Sequence, residues 1–273
     1  MGSIAGYFRM MRVDDWLFGY FFIPLIGTVA AAGITPVLWI TAVVSAGALA
    51  FGFVINNVAD IEIDLCHADK CKANKNPLAT QKVTTRGTTL LLILLALIPL
   101  CLSLLCTLTA FLCVTATLGL FAAYSVRPFR LKERYLLDLF THGIMAGALL
   151  FLIGYTLPGT GDPLISPKVI SLAVLFTGIG CMALLVHQIG DYAEDREYSP
   201  TTVVRLGKKK AWVMLVALFS LTLTCLAIVH SIVVLELWVL FGSVVLFAIP
   251  LFLLRNEIRE DFFPSVHPAK EPE

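Results

Sequence analysis

Charge is scarce in this chain: Asp, Glu, Lys and Arg are 14% of 273 residues, hydrophobic residues are 58%, and the mean hydropathy is +0.87. That scarcity excludes an ordinary soluble domain. The short alternating segments of a β-barrel are missing too, since the apolar runs are continuous and rich in Leu, Ala and Val. No small-residue cleavage site precedes the first run, and MGSIAGYFRMMRVDDW carries acids, so the first helix is expected to be retained. A lipidated start is not expected, because Gly6 stands where Ser or Thr is required. Paired metal-binding cysteines are also lacking. Of seven cysteines, Cys101, Cys106, Cys113, Cys181 and Cys225 lie in or near apolar runs, which fits packing in a reducing compartment. Cys66, His67 and Cys71 have no second ligand pair, so accidental loop composition outweighs zinc.

Long apolar runs are what the chain does have. They span Trp16 to Ala32, Pro36 to Asn56, Thr88 to Thr107, Leu108 to Ser125, Tyr135 to Leu157, Lys168 to Gly190, Ala211 to His230 and Ser231 to Leu254. Each approaches the roughly 17 to 25 residues that cross a bilayer. The expected fold class is therefore all-α, a polytopic transmembrane helical bundle in one domain over 1–273, of eight helices, or nine if one run merges two. With both ends on one side, 19 of the 20 basic residues fall on that side and only Lys168 lies opposite. The positive-inside rule then places both termini and the three long charged loops in the cytoplasm.

Two acidic clusters abut these runs, NNVADIEID at 56–64 and DYAED at 191–195. Ionisable groups are disfavoured at such positions and are functional candidates there. Asn56, Asp60 and Asp64 are spaced by four and four, which on one helix drifts only about 80° over about 12 Å. Asp191 and Asp195 repeat the spacing, with Glu62, Glu194 and Glu197 nearby. All follow the C-terminal ends of their helices, where the macrodipole disfavours carboxylates. A bound cation removes that conflict. Oxygen donors without paired His or Cys suit Mg²⁺, which takes one or two carboxylates and completes its shell with phosphate oxygens. The competing reading is a solvated acidic loop neutralised by its own lysines.

The two halves, about 10–130 and 131–255, form a weak internal repeat. In each, the second helix ends in the acidic cluster, and a loop follows with Pro77, Thr84, Thr85, Arg86 and Gly87 in one half and Pro200, Thr201, Thr202, Arg205 and Gly207 in the other. A parallel repeat of this kind sets the clusters face to face. Beside them, YSVRPFRLKER supplies Tyr124, Arg127, Arg130, Lys132 and Arg134. An anionic phosphate ligand explains acids and bases together. Topology anchoring and contact with anionic headgroups is the competing role, and it suits Arg134 and Lys208 to Lys210 better.

With these residues the chain resembles the UbiA superfamily of intramembrane prenyltransferases. Asn56, Asp60 and Asp64 match its NxxxDxxxD motif, and Asp191 with Asp195 its DxxxD motif. The Tyr124 to Lys132 segment, Arg12 and Trp16, and the TTVVRLG tail at 201–207 match as well. Three departures stand out: Asn57 where Asp is frequent, Pro128 where Lys commonly follows the Tyr by four, and eight helices where the family usually has nine.

The resemblance implies a helical bundle around a central cavity open to the cytoplasmic side. It implies Mg²⁺ held by Asp60, Asp64, Asp191 and Asp195, and a prenyl diphosphate gripped by Asn56, Arg127, Arg130, Lys132 and Lys72. Asp191, Asp64 and Tyr124 are then the expected catalytic residues, with Asp191 removing the leftover proton. Aromatic faces shelter the allylic cation, the candidates being Phe51, Phe53, Phe121, Tyr124, Phe140 and Tyr155. A lipid-soluble acceptor, most often an aromatic ring in this family, and membrane lipids are the other partners; no nucleic acid is expected. For His187, Gln188, His142 and Asp138 an interhelical hydrogen bond is the favoured role. Two alternatives stay open: a membrane terpene cyclase acting on the same diphosphate without an acceptor, and a transporter. The second is disfavoured because the acids cluster at one face rather than at the midplane.

Overall fold

The computed structural model describes residues 3–66 and 76–232, with Val245 and Phe252 as single positions beyond them. Every regular element among these residues is helical. Two short helices, α1 (Ile4–Met10) and α2 (Val13–Trp16), lead into α3 (Phe22–Ala32), α4 (Val37–Ala59) and α5 (Ile61–Cys66). Then come α6 (Thr85–Cys106), α7 (Leu108–Ser125), a tight turn at Leu131–Glu133 and α8 (Leu137–Thr156). After these follow α9 (Pro167–Gly190), the short α10 (Tyr192–Tyr198) and α11 (Thr202–Leu206), and α12 (Lys208–Ile232). Helix starts obey local chemistry: Thr84, Thr107, Ser166 and Thr201 each accept a first-turn amide with the side-chain hydroxyl.

Six helices, α4, α6, α7, α8, α9 and α12, are long and apolar enough to cross a membrane. They coincide with six of the eight expected runs. The first run differs. Helix begins only at Phe22, so α3 has 11 residues, about 16 Å, which is less than a bilayer's hydrocarbon thickness. The indole of Trp16 donates to the Met11 carbonyl at 2.8 Å, and its ring packs on Phe21 with centroids 6.0 Å apart, holding the preceding residues in a turn. The expected run Ser231 to Leu254 lies almost wholly outside the described residues, and so does Lys72.

Small residues set the packing around α8. A Cβ on Gly154 would lie 1.7 Å from the Pro24 carbonyl oxygen, and one on Gly27 would lie 2.3 Å from that of Phe151. The backbones of α3 and α8 therefore touch, as small residues allow between membrane helices. Towards its start α8 makes a second close crossing, where a Cβ on Gly147 would lie 2.0 Å from the Phe176 carbonyl oxygen of α9. This second crossing falls within Ile144–Ala148, a π turn whose extra residue rotates the faces on either side of it. That rotation lets one helix serve α9 with its first half and α3 with its second. Elsewhere α4 packs on α6 and α7, and α9 on α12. A buried Thr28 hydroxyl, 2.9 Å from the Gly154 carbonyl and 2.7 Å from the Thr41 hydroxyl, ties α3, α4 and α8 together.

Candidate active site

Helices α4 and α9 end alike. Each closes on an aspartate at its C-cap, Asp60 or Asp191, and a short helix restarts behind it. The Asp60 amide donates to the Asn56 carbonyl at 3.0 Å and the Asp64 amide to the Asp60 carbonyl at 2.8 Å; Asp191 to His187 and Asp195 to Asp191 both measure 2.9 Å. The spacing of four thus survives a break. Asn56, Asp60 and Asp64 do not share one uninterrupted helix as expected, because Asp60 leaves helical geometry at φ −106°, ψ 11°.

A carboxylate at the negative end of a helix needs compensation, and Asp60 receives it from the segment between α7 and α8. Arg130 donates through Nη2 to Asp60 Oδ1 at 2.9 Å, and Lys132 Nζ makes a still shorter contact with Oδ2. The same Lys132 ammonium donates to Asn56 Oδ1 at 2.8 Å, which also accepts from the Ser125 hydroxyl at 3.1 Å. Arg130 sits at φ 39°, a left-handed backbone uncommon outside glycine. Bonds to the Ser125 carbonyl at 3.2 Å, the Ala59 carbonyl at 3.4 Å and the Glu133 carboxylate hold it there. Burial pushes the Lys132 pKa down, with Asp60 opposing. For Arg130 burial also pulls downward, but Glu133 and Asp60 outweigh it and the pKa rises.

Asp64 accepts from Asn76 Nδ2 at 2.9 Å, and the same nitrogen donates to the Asn57 carbonyl at 2.7 Å. Asn57 is buried and donates to the Met10 carbonyl at 3.1 Å, joining α4 to α1. The residue that departs from the family pattern is therefore a structural tie. Asp191 of the second cluster is the more exposed C-cap. The Asp191 side chain is 46% exposed with His187 Nε2 at 3.3 Å, and Asp195 accepts from the Thr201 hydroxyl at 3.4 Å.

Tyr124 lies near the end of α7, next to Ser125, whose hydroxyl bonds Asn56 of the first cluster. Its ring is 6.1 Å from His142, whose Nδ1 donates to the Gly180 carbonyl at 2.9 Å. The imidazole Nε2 is left as an acceptor for the Tyr20 hydroxyl at 3.4 Å. Asp138 is fully buried and accepts from Gln188 Nε2 at 2.8 Å, the Thr202 amide at 2.9 Å and the Thr202 hydroxyl. Gln188 in turn accepts from the Val203 amide at 3.2 Å. This network fixes α8, α9 and α11 around the second cluster. Its only sequence signal is a carboxylate inside an apolar run.

Not every expected residue meets at this end. Arg127 makes no described contact with Asp60 and lines a neighbouring cavity instead. Phe140 is 59% exposed on the outer surface. Tyr155 lies about 25 Å from Asp138 along α8, where its hydroxyl accepts from the Asp162 amide at 2.8 Å.

The donors gathered here are carboxylates and amides. Among the described residues no three Asp, Glu, His or Cys close into a cage by themselves. That donor set fits Mg²⁺, which binds through one or two carboxylates and keeps other positions for water or phosphate oxygen. The profile of the UbiA prenyltransferase family matches residues 16–261. The chain belongs to the UbiA prenyltransferase family. It is accordingly a multi-pass membrane enzyme.

Solved UbiA homologues share this fold at low identity. A homologue from Archaeoglobus fulgidus bound to GPP and Mg²⁺ superposes with a TM-score of 0.77 at 20% identity, covering 98% of this chain and 91% of that one. Its complex with DMAPP and Mg²⁺ gives 0.77 at 19% identity, covering 97% and 91%. An apo UbiA homologue from Aeropyrum pernix K1 gives 0.68 at 17% identity, covering 92% and 99%. No curated protein matches the chain.

Proposed function

We propose that this UbiA-family enzyme ionises a prenyl diphosphate between its two acidic clusters and transfers the prenyl group to a lipid-soluble, aromatic acceptor, releasing diphosphate. The observation that carries this reading is the shared geometry of the two helix ends, each a C-capping aspartate with a second aspartate four residues on. The correspondence of the two ends also favours the two-fold repeat. Both termini and this end of the bundle face the cytoplasm, as the basic residues argue.

Asp60, Asp64, Asp191 and Asp195 are the Mg²⁺ ligands in this reading. Mg²⁺ bound there supplies Lewis-acid stabilisation of the departing diphosphate. Arg130 and Lys132, which neutralise Asp60 in the structure, turn their remaining donors to the diphosphate oxygens, and Asn56 orients Lys132. Lys72 is assigned to the same grip from sequence alone. Arg127 is left out, because its surroundings suit another role. Tyr124 presents its ring to the allylic cation, and the half-exposed Asp191 takes the leftover proton.

The test is incubation of the purified enzyme with radiolabelled prenyl diphosphates of several lengths, with and without Mg²⁺, followed by identification of the lipid product. A prenylated acceptor formed only with Mg²⁺ is expected. A cyclic hydrocarbon formed without acceptor would transfer the assignment to a cyclase, and metal-independent turnover would overturn the site.

A further inference from the structure

Beside the Asp60 cluster, the segment from Arg127 to Arg134, with Pro200 and Arg205, borders a shallow, open concavity of about 530 Å³ lined by Arg127, Arg130, Arg134, Arg205, Glu133 and Phe129, among others. Only Arg130 has a carboxylate partner among the described residues, bonding Glu133 and Asp60. Arg205 donates to the Pro200 carbonyl at 3.1 Å and the Glu133 carbonyl at 3.0 Å, and Arg134 to the Pro128 carbonyl at 3.4 Å. Carbonyl bonds fix the direction of a guanidinium without cancelling its charge. Arg127, Arg134 and Arg205 thus gather three uncompensated positive charges around one concavity. Arginine forks of this kind match phosphate oxygens.

The surroundings indicate what carries the phosphate. Phe129 and Phe140 are each 59% exposed, and Tyr135, Leu136 and Leu137 are 43%, 41% and 46% exposed. They form an apolar and aromatic skirt where α8 enters the bilayer, the level at which aromatic side chains sit among headgroups. A free phosphate gains nothing from that skirt, whereas an acyl chain lies along it. We propose that this cavity is a binding site for the phosphate headgroup of an anionic membrane lipid, separate from the diphosphate site and sharing with it only the Arg130 wall. Basic pockets at membrane helix ends recognise lipid headgroups by this chemistry. The proposal reassigns Arg127 and converts the anchoring role of Arg134 into a built site.

The test uses the full chain in phosphatidylcholine nanodiscs titrated with phosphatidylglycerol, with retained lipid read by native mass spectrometry. Selective retention of phosphatidylglycerol is expected, falling about thirtyfold in the Arg134→Gln, Arg205→Gln double variant, since each basic residue at a membrane surface adds about 1 kcal/mol. A second reading needs no variant. Phosphatidylglycerol should shield Arg134 and Arg205 of the wild type from phenylglyoxal, and neither phosphatidylcholine nor inorganic phosphate should do so. Undiminished selectivity in the double variant, equal shielding by inorganic phosphate, or no shielding by phosphatidylglycerol would each overturn the proposal.

Discussion

The two acidic clusters share a backbone and differ in their company. Asp60, 13% exposed, is clasped by Arg130 and Lys132, and Asp64 is tied to Asn76. Asp191 is 46% exposed, with His187 Nε2 at 3.3 Å from its carboxylate. The same C-cap position therefore holds one buried aspartate neutralised by two cations, Asp60, and one half-exposed aspartate, Asp191. At Asp60 the charge balance is built into the fold, whereas Asp191 is turned half towards its surroundings. The difference predicts that equal deletions in the two clusters have unequal effects.

Asp60→Ala should produce the largest change, because it removes the carboxylate shared by two largely buried cations and leaves Lys132 without its ion pair: about 3 to 5 kcal/mol of stability is lost along with activity. Thermal unfolding in detergent measures the first effect and product formation the second. Asp191→Ala should cut product formation roughly 10³-fold, since metal stabilisation of the leaving group is worth several kcal/mol, while leaving the melting temperature in place. If both variants unfold alike, the contrast between the clusters is wrong.

The frame that holds the second cluster comes next. Asp138→Asn turns an acceptor-only carboxylate into an amide with a donor facing Gln188 and Thr202. About 1 to 3 kcal/mol of stability should be lost, and the KM for prenyl diphosphate should rise as α11 loosens. A smaller effect is expected at the first cluster's frame, where Asn76→Ala removes the bonds to Asp64 and to the amides of Leu78 and Ala79. The loss there should be about 1 kcal/mol, read as a lowered melting temperature. The smallest belongs to His187→Ala: its side chain is 65% exposed, so stability should stay within about 0.5 kcal/mol.

The spans from Val37 to Ile232 were legible because bilayer thickness imposes run length, and the aspartates because a spacing of four is visible along the chain. The break at Asp60 was not, since a C-cap depends on what compensates the carboxylate, and Arg130 lies 70 residues away. Distance in sequence also hid the Asp138 network, whose partners Gln188 and Thr202 are 50 and 64 residues on. Arg127, Arg130 and Lys132 looked equivalent as a basic run. The left-handed turn at Arg130 separates them, sending Arg130 and Lys132 to Asp60 and leaving Arg127 to the outer cavity. Length alone could not shorten the first helix either, because Trp16 ends the preceding segment through a bond to Met11.

The central claim is that the two clusters are halves of one metal and diphosphate site. Mg²⁺-dependent diphosphate release by wild type, Asp64→Asn, Asp191→Asn and the double variant tests it most directly. Residues acting as one unit lose little more together than apart, so the double variant should be no slower than the slower single variant within about threefold. Losses that multiply across the two substitutions would show two independent sites and contradict the account.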